Sequence, residues 1–176
     1  MKIGFCGTMS VGKTTLVNAL KELPEFKNYK FATERSEYLR DLGIPLNNDS
    51  TLKGQLIFLA ERSSELLQEN IITDRTIVDV IAFTKSAKSI SWTEGKQFQS
   101  LAENLINDYD FLFYVSPEGV KLEDNGIRTI DKEYRKEIDK SIKGIIGDKL
   151  GKHPKYTEIS GSIEERIEKI KQTIFQ

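Results

Sequence analysis

The stretch GTMSVGKTTL, Gly7 to Leu16, decides how the rest of the chain is read. Gly7-Thr8-Met9-Ser10-Val11-Gly12-Lys13-Thr14 fits GxxxxGK[ST] at every defined position. It lies between an apolar run, Lys2–Cys6, and a helix-like segment that begins at Lys13. Glycines in such a loop let the backbone close around phosphate oxygens, and the amides at the helix start point at them with the favourable end of the helix dipole. Gly7, Thr8, Ser10, Val11, Gly12, Lys13, Thr14 and Thr15 are therefore expected to contact the phosphates of ATP. Lys13 is expected to bridge the terminal phosphates, and the Thr14 hydroxyl to ligate Mg²⁺.

Outward from this loop, short apolar runs alternate with longer helical segments, the signature of an α/β sheet. The strands are expected at Lys2–Cys6, Lys30–Thr33, Asn70–Thr73, Asp110–Val115 and Lys155–Ile159. Helices are expected at Lys13–Glu22, Glu34–Leu42, Ser50–Glu69, Thr76–Ser86, Thr93–Asn107, Asp131–Asp148 and Ile163–Ile174. In the last of these, Ile163, Ile167, Ile170 and Ile174 make one apolar stripe that should close over the sheet. With 176 residues the chain is read as a single domain, 1–176. Polar residues from about 116 to 135, with Gly119 and Gly126, are read as a lid.

Composition removes several classes. Lys plus Arg number 26 against 27 Asp plus Glu, so there is no bulk positive field for nonspecific polyanion binding. One cysteine, Cys6, excludes an intrachain disulfide and is read as a small buried hydrophobe. No stretch is apolar for long enough to span a bilayer, so no membrane partner and a reducing, cytoplasmic setting are expected. The residues assign no oligomeric state.

A GTPase switch would carry DxxG soon after an early strand and [NT]KxD near the last ones. The single DxxG, Asp148–Gly151, sits behind a late helix, and [NT]KxD does not occur. The next informative stretch is NIITDRTIVDVIAF, Asn70–Phe83. Asp74 at the tip of a strand beside the P-loop is in reach of the metal and of an attacking group, and Arg75 next to it can clamp a phosphate or stabilise transferring charge. Motor ATPases commonly place a water-activating glutamate after this aspartate. Arg75 stands there instead, which favours a substrate clamp. Asp79, one turn on, reads as a local cap or buried hydrogen-bond acceptor.

Glu34 closes the second apolar run and is a candidate base for an acceptor hydroxyl, although a carboxylate stabilised by a helix N-terminus would look the same. Arg35 and Arg40 follow. In the lid, Arg128 and Arg135 are candidates to meet the triphosphate, Arg128 the stronger of the two. Ser160-Gly161-Ser162 reads either as a helix start or as backbone packed against the nucleotide base. His153 falls in a loop before Pro154, and Trp92 is read as a core residue.

Taken together, the P-loop, the carboxylate after strand two, Asp-Arg after strand three, the arginine-bearing lid and the Ser-Gly turn resemble the small P-loop kinases of nucleosides and nucleotides. ITDRTIVDVIAF and ISGSIEERIEKI are similar to the AAA-domain kinase-like family that includes nicotinamide riboside kinase domains. The resemblance implies a five-stranded parallel sheet in the order 2-3-1-4-5, a P-loop NTPase three-layer sandwich. It further implies that Lys13, Thr14 and Arg128 serve ATP while Glu34, Asp74 and Arg75 face the acceptor, with Mg²⁺ held by Thr14 and Asp74. The chain departs from it directly after strand two, where Glu34-Arg35-Ser36-Glu37 replaces the implied Glu-x-x-Arg, a spacing met only by Glu37 and Arg40. The expected activity is transfer of the γ-phosphate of ATP to a nucleoside or nucleoside monophosphate. A polynucleotide or DNA-base kinase, with nucleic acid as substrate, and a regulatory P-loop ATPase are the alternatives.

Overall fold

All five expected strands form, and they join one parallel sheet in the order β2-β3-β1-β4-β5. The strands are β1 (Lys2–Cys6), β2 (Lys30–Ala32), β3 (Ile71–Asp74), β4 (Phe111–Val115) and β5 (Tyr156–Ile159). Helices α1 (Lys13–Lys21), α2 (Ser36–Asp41), α3 (Leu52–Glu65), α4 (Ile77–Ser86), α5 (Trp92–Ala102), α6 (Lys132–Ile146) and α7 (Ile163–Phe175) connect and cover them. The computed structural model describes residues 1–33, 35–118, 131–148 and 155–175. Among these residues no helix is long and apolar enough to cross a membrane.

Side-chain alternation along the strands builds two cores. Ile3 and Phe5 of β1, Ile72 of β3 and Phe113 and Val115 of β4 meet Leu16, Val17 and Leu20 of α1 and Ile170 of α7 on one face. The predicted isoleucine stripe of α7 packs into this core, with Ile163, Ile167 and Ile174 partly buried at its edge. Cys6, Leu112 and Tyr114 point to the other face, where α4 and α6 supply Val78, Ile81, Ile138 and Ile142. Gly4 permits the close approach on that face. A methyl group on it would lie 2.6 Å from Thr76 Cγ2 and 2.7 Å from the Tyr109 ring.

Chain direction then places the site. After β1 the chain turns to α1 on one face, and after the neighbouring β3 it turns to α4 on the other. The crevice between these two strand ends is where open α/β sheets bind ligands. In register, Phe5 stands beside Asp74, and the Arg75 amide donates to the Phe5 carbonyl at 3.1 Å.

The boundaries differ from expectation for local reasons. Thr51 caps α3, its hydroxyl accepting from the Gly54 amide at 3.2 Å, so the helix starts at Leu52 and not at Ser50. The helix expected over Thr93–Asn107 ends at Ala102 and tightens into a 3-10 segment, Glu103–Asp108. Trp92, expected in the core, is 78% exposed. It is the first residue of α5, whose buried stripe is Gly95, Phe98 and Ala102. Ser91 and Thr93 on either side of it are exposed as well, so this turn projects beyond the packed layer. Cys6 is fully buried as expected, and burial together with the nearby Asp79 carboxylate pushes its thiol pKa well up.

Candidate active site

Backbone conformation shapes the P-loop first. Ser10 has φ 55° and Gly12 φ 83°, a left-handed turn that curls the chain before α1. Ser10 to Thr15, with Met9, Asp74 and Arg75, line a cavity. Gly7 and Thr8, expected among the phosphate contacts, do not line it. The Thr8 hydroxyl faces α6, donating to the Arg135 carbonyl at 3.0 Å. Lys13 is 6% exposed and its Nζ donates to the Gly7 and Thr8 carbonyls at 2.6 and 2.8 Å. The ammonium is thus held across the loop, over the cavity where terminal phosphates are expected.

The end of β3 supplies the opposing wall. The Thr14 hydroxyl donates to Asp74 Oδ2 at 2.5 Å, and Asp74 is 1% exposed. Asp79 fits the expected local role. Its Oδ2 accepts from the Thr76 amide at 2.8 Å and the Thr76 hydroxyl at 2.9 Å, closing a capping box on α4. Its Oδ1 accepts from the Gly7 amide at 3.1 Å, tying the start of the P-loop to the start of α4.

Arg75 occupies φ 88°, a conformation costly for a residue with a side chain and found where structure around it imposes it. Its guanidinium lies 4.9 Å from the centroid of the Phe83 ring. Behind it opens a second pocket, lined among others by Ser36, Asn47, Gln55, Phe58, Val80 and Phe83. Arg75 lines this pocket and the P-loop cavity alike. The site is therefore two compartments with Arg75 in the wall of both.

A family model of the AAA domain matches residues 2–166. The chain belongs to this AAA-domain family. Among solved structures, deoxyadenosine kinase from M. mycoides with dCMP and dCDP bound is 21% identical with TM-score 0.69, covering 99% of this chain and 98% of that one. NadR in complex with NR is 17% identical with TM-score 0.74, covering 99% of this chain and 51% of NadR. Thymidylate kinase from Candida albicans is 16% identical with TM-score 0.65, covering 97% of this chain and 90% of that one. A sequence search among curated proteins finds no match. At these identities the structural likeness establishes the fold, that of the small P-loop kinases, as the P-loop and the Asp-Arg pair led one to expect.

In this AAA-domain chain Lys13, Thr14, Asp74 and Arg75 converge at one crevice, as the sequence suggested. Glu34 and Arg128 lie outside the described residues, as does His153 and most of the expected lid. Arg35 is half-exposed, pairs with Glu61 at 3.2 Å and stacks on the Tyr38 ring at 4.6 Å. Arg40 pairs with its neighbour Asp41 at 2.9 Å. Arg135, the weaker of the two lid candidates, reaches the P-loop, its Nη2 lying 3.4 Å from the Ser10 carbonyl. Ser162 starts α7 through reciprocal bonds with Glu165, the helix-start reading of the Ser-Gly turn.

Two buried arginines escaped the sequence reading. Arg62 of α3 donates to the Asp74 carbonyl at 3.2 Å and pairs with Glu65 at 2.7 Å, bracing the strand end from below. Burial pushes the Glu65 carboxyl up to about 7, with Arg62 opposing. Arg166 of α7 donates to the Val11 carbonyl at 2.7 Å. Both stand among charged neighbours in the sequence, Glu61-Arg62 and Glu164-Glu165-Arg166, where an arginine reads as solvated. The one signal available was the position of Arg166 three residues after Ile163 and four before Ile170, on the apolar face of its helix.

Proposed function

We propose that this chain is an ATP-dependent phosphotransferase that moves the γ-phosphoryl group of ATP to a nucleoside or nucleoside monophosphate. The observation that carries the reading is the placement of Arg75 in both compartments. A group transferred between two substrates must cross such a boundary, and a guanidinium there can stabilise charge as it moves. A cleft serving hydrolysis alone has no need of the second compartment.

The P-loop amides and Lys13 hold the triphosphate and orient its terminal phosphorus toward the second pocket. Phe58, Phe83 and Val80 give that pocket apolar walls suited to a flat base, and Gln55, 3% exposed, adds an amide able to donate and accept. Thr14 and Asp74 are hard oxygen donors brought together beside the loop, a set that fits Mg²⁺ with the hydroxyl as direct ligand and the carboxylate acting through water. Bound there, the metal would neutralise charge on the β- and γ-phosphates. If the acceptor is a hydroxyl, Glu34 or Asp74 takes its proton; if it is a monophosphate, no base is required and the arginines, Arg128 among them, carry more of the work.

The test is an acceptor screen with γ-labelled ATP and Mg²⁺ against nucleosides, deoxynucleoside monophosphates, nicotinamide riboside and oligonucleotides, with Lys13→Ala as control. Label on a small acceptor, lost in the control, supports the proposal. Label on oligonucleotides alone moves the activity to a polynucleotide kinase, and ATP binding without transfer to any acceptor leaves a regulatory ATPase.

A further inference from the structure

We infer that Arg166 is a positioning residue of the nucleotide site: its guanidinium, reaching in from α7, holds the Val11 carbonyl outward and so aims the Gly12 amide into the phosphate cradle. The inference rests on the reading of the P-loop as a nucleotide site. In a trans peptide the carbonyl of one residue and the amide of the next point in opposite directions. Fixing the Val11 oxygen on the outside of the loop therefore fixes the Gly12 N–H on the inside. Arg166 Nη1 makes this contact at 2.7 Å, a charge-assisted bond, while Gly12 sits at φ 83°. A methyl group on Gly12 would lie 3.3 Å from the same nitrogen, so the guanidinium lies directly against the turn.

The helix start determines where this arginine goes. The Ser162 amide donates to Glu165 Oε2 at 2.7 Å, the Glu165 amide to the Ser162 hydroxyl at 3.2 Å, and the Arg166 amide to the Ser162 carbonyl at 3.0 Å. With the first turn locked, Arg166 projects from the apolar face of α7 toward the loop that opens α1, and only 3% of it is exposed. Burying a guanidinium is costly, and its Nε is left buried without a hydrogen-bond partner. An aliphatic residue would fill that position of the apolar stripe at lower cost. The contact that distinguishes arginine here is the one to the P-loop. Arg135 makes the neighbouring contact, to the Ser10 carbonyl, so two successive loop carbonyls face guanidinium groups from two different helices.

The experiment measures ATP and ADP affinity by calorimetry for the wild type, Arg166→Met and Arg166→Lys, with steady-state kinetics on the acceptor found in the screen. Arg166→Met should weaken nucleotide binding about 10- to 100-fold, the size of one charge-assisted contact. The acceptor KM at saturating ATP should stay within about twofold, and Arg166→Lys, which keeps one charged donor, should recover part of the affinity. In ¹⁵N spectra the Gly12 amide shift on adding ADP should shrink in Arg166→Met. Should the methionine variant fail to fold, Arg166→Gln carries the same expectation at smaller size. Wild-type affinity with an unchanged Gly12 shift overturns the inference, as does equal loss of nucleotide and acceptor binding, which marks a general collapse. A wild-type protein that binds no nucleotide would instead remove the reading on which the inference rests, and the inference with it.

Discussion

The Thr14 hydroxyl meets Asp74 Oδ2 at 2.5 Å across sixty residues of sequence, joining the first turn of the P-loop helix to the tip of the adjacent strand. The pair places two oxygen donors at one point between sheet and helix, where a divalent cation is expected. Asp74→Asn keeps a hydrogen-bond partner for Thr14 and removes the charge. The Mg²⁺ concentration for half-maximal phosphoryl transfer should rise about tenfold or more, with folding in the absence of nucleotide little altered. A Mg²⁺ titration of the transfer rate checks it, and an unchanged midpoint would remove Asp74 from the metal site.

Asp79 is expected to matter for stability before chemistry. Its carboxylate accepts from the Thr76 amide, the Thr76 hydroxyl and the Gly7 amide while 1% exposed. Asp79→Ala leaves those buried donors unpaired and should lower unfolding free energy by about 2–4 kcal/mol in urea denaturation. Asp79→Asn retains one acceptor oxygen and should lose less. If Asp79→Ala unfolds like the wild type, the cap does not organise the start of the loop.

Arg75 separates backbone cost from side-chain use. Arg75→Ala and Arg75→Gly both remove the guanidinium and should both reduce phosphoryl transfer by about a hundredfold or more. They should differ in stability. At φ 88° glycine is unstrained and alanine is not, so the glycine variant should be the more stable by about 1 kcal/mol. Equal melting temperatures for the two would mean that the backbone relaxes once the side chain is gone.

Glu65 gives a pH dependence of defined sign. Burial raises its folded-state pKa from 4.5 to about 7, so between those values the folded chain holds more protons at this site than the unfolded chain. Its contribution to stability is therefore full below about pH 4.5 and is lost as the pH rises through 7. Denaturant midpoints at pH 5, 6, 7 and 8 should fall in the wild type relative to Glu65→Gln across that window and run parallel above it. A wild type that gains on the variant as the pH rises would show that Arg62 holds Glu65 ionised throughout.

Local pattern was enough for much of this protein. GTMSVGKT lies between an apolar run and a helix, and those neighbours left little choice of backbone, so the P-loop and its lysine were legible. The alternation of short apolar runs with helical segments carried the α/β class and the strand positions, because strand and helix periods act over a few residues. Family resemblance supplied the strand order, and the sheet has it. Trp92 shows where local reading stops, since whether a helix turn overlies the core or overhangs it depends on the packing of elements far away in sequence.

By itself, then, the sequence determined the P-loop, the sheet class and the Asp74-Arg75 pair at the end of a strand, because each is written in contiguous residues. Only the tertiary structure decided that Thr14 meets Asp74, that Asp79 anchors Gly7, that Arg75 divides two compartments, and that Arg62 and Arg166 are buried against the strand tip and the loop. The physical reason is distance along the chain. An arginine flanked by glutamates on a helix has the same local pattern in solvent as against a loop carbonyl 155 residues away, and only the packing of the helix chooses between them.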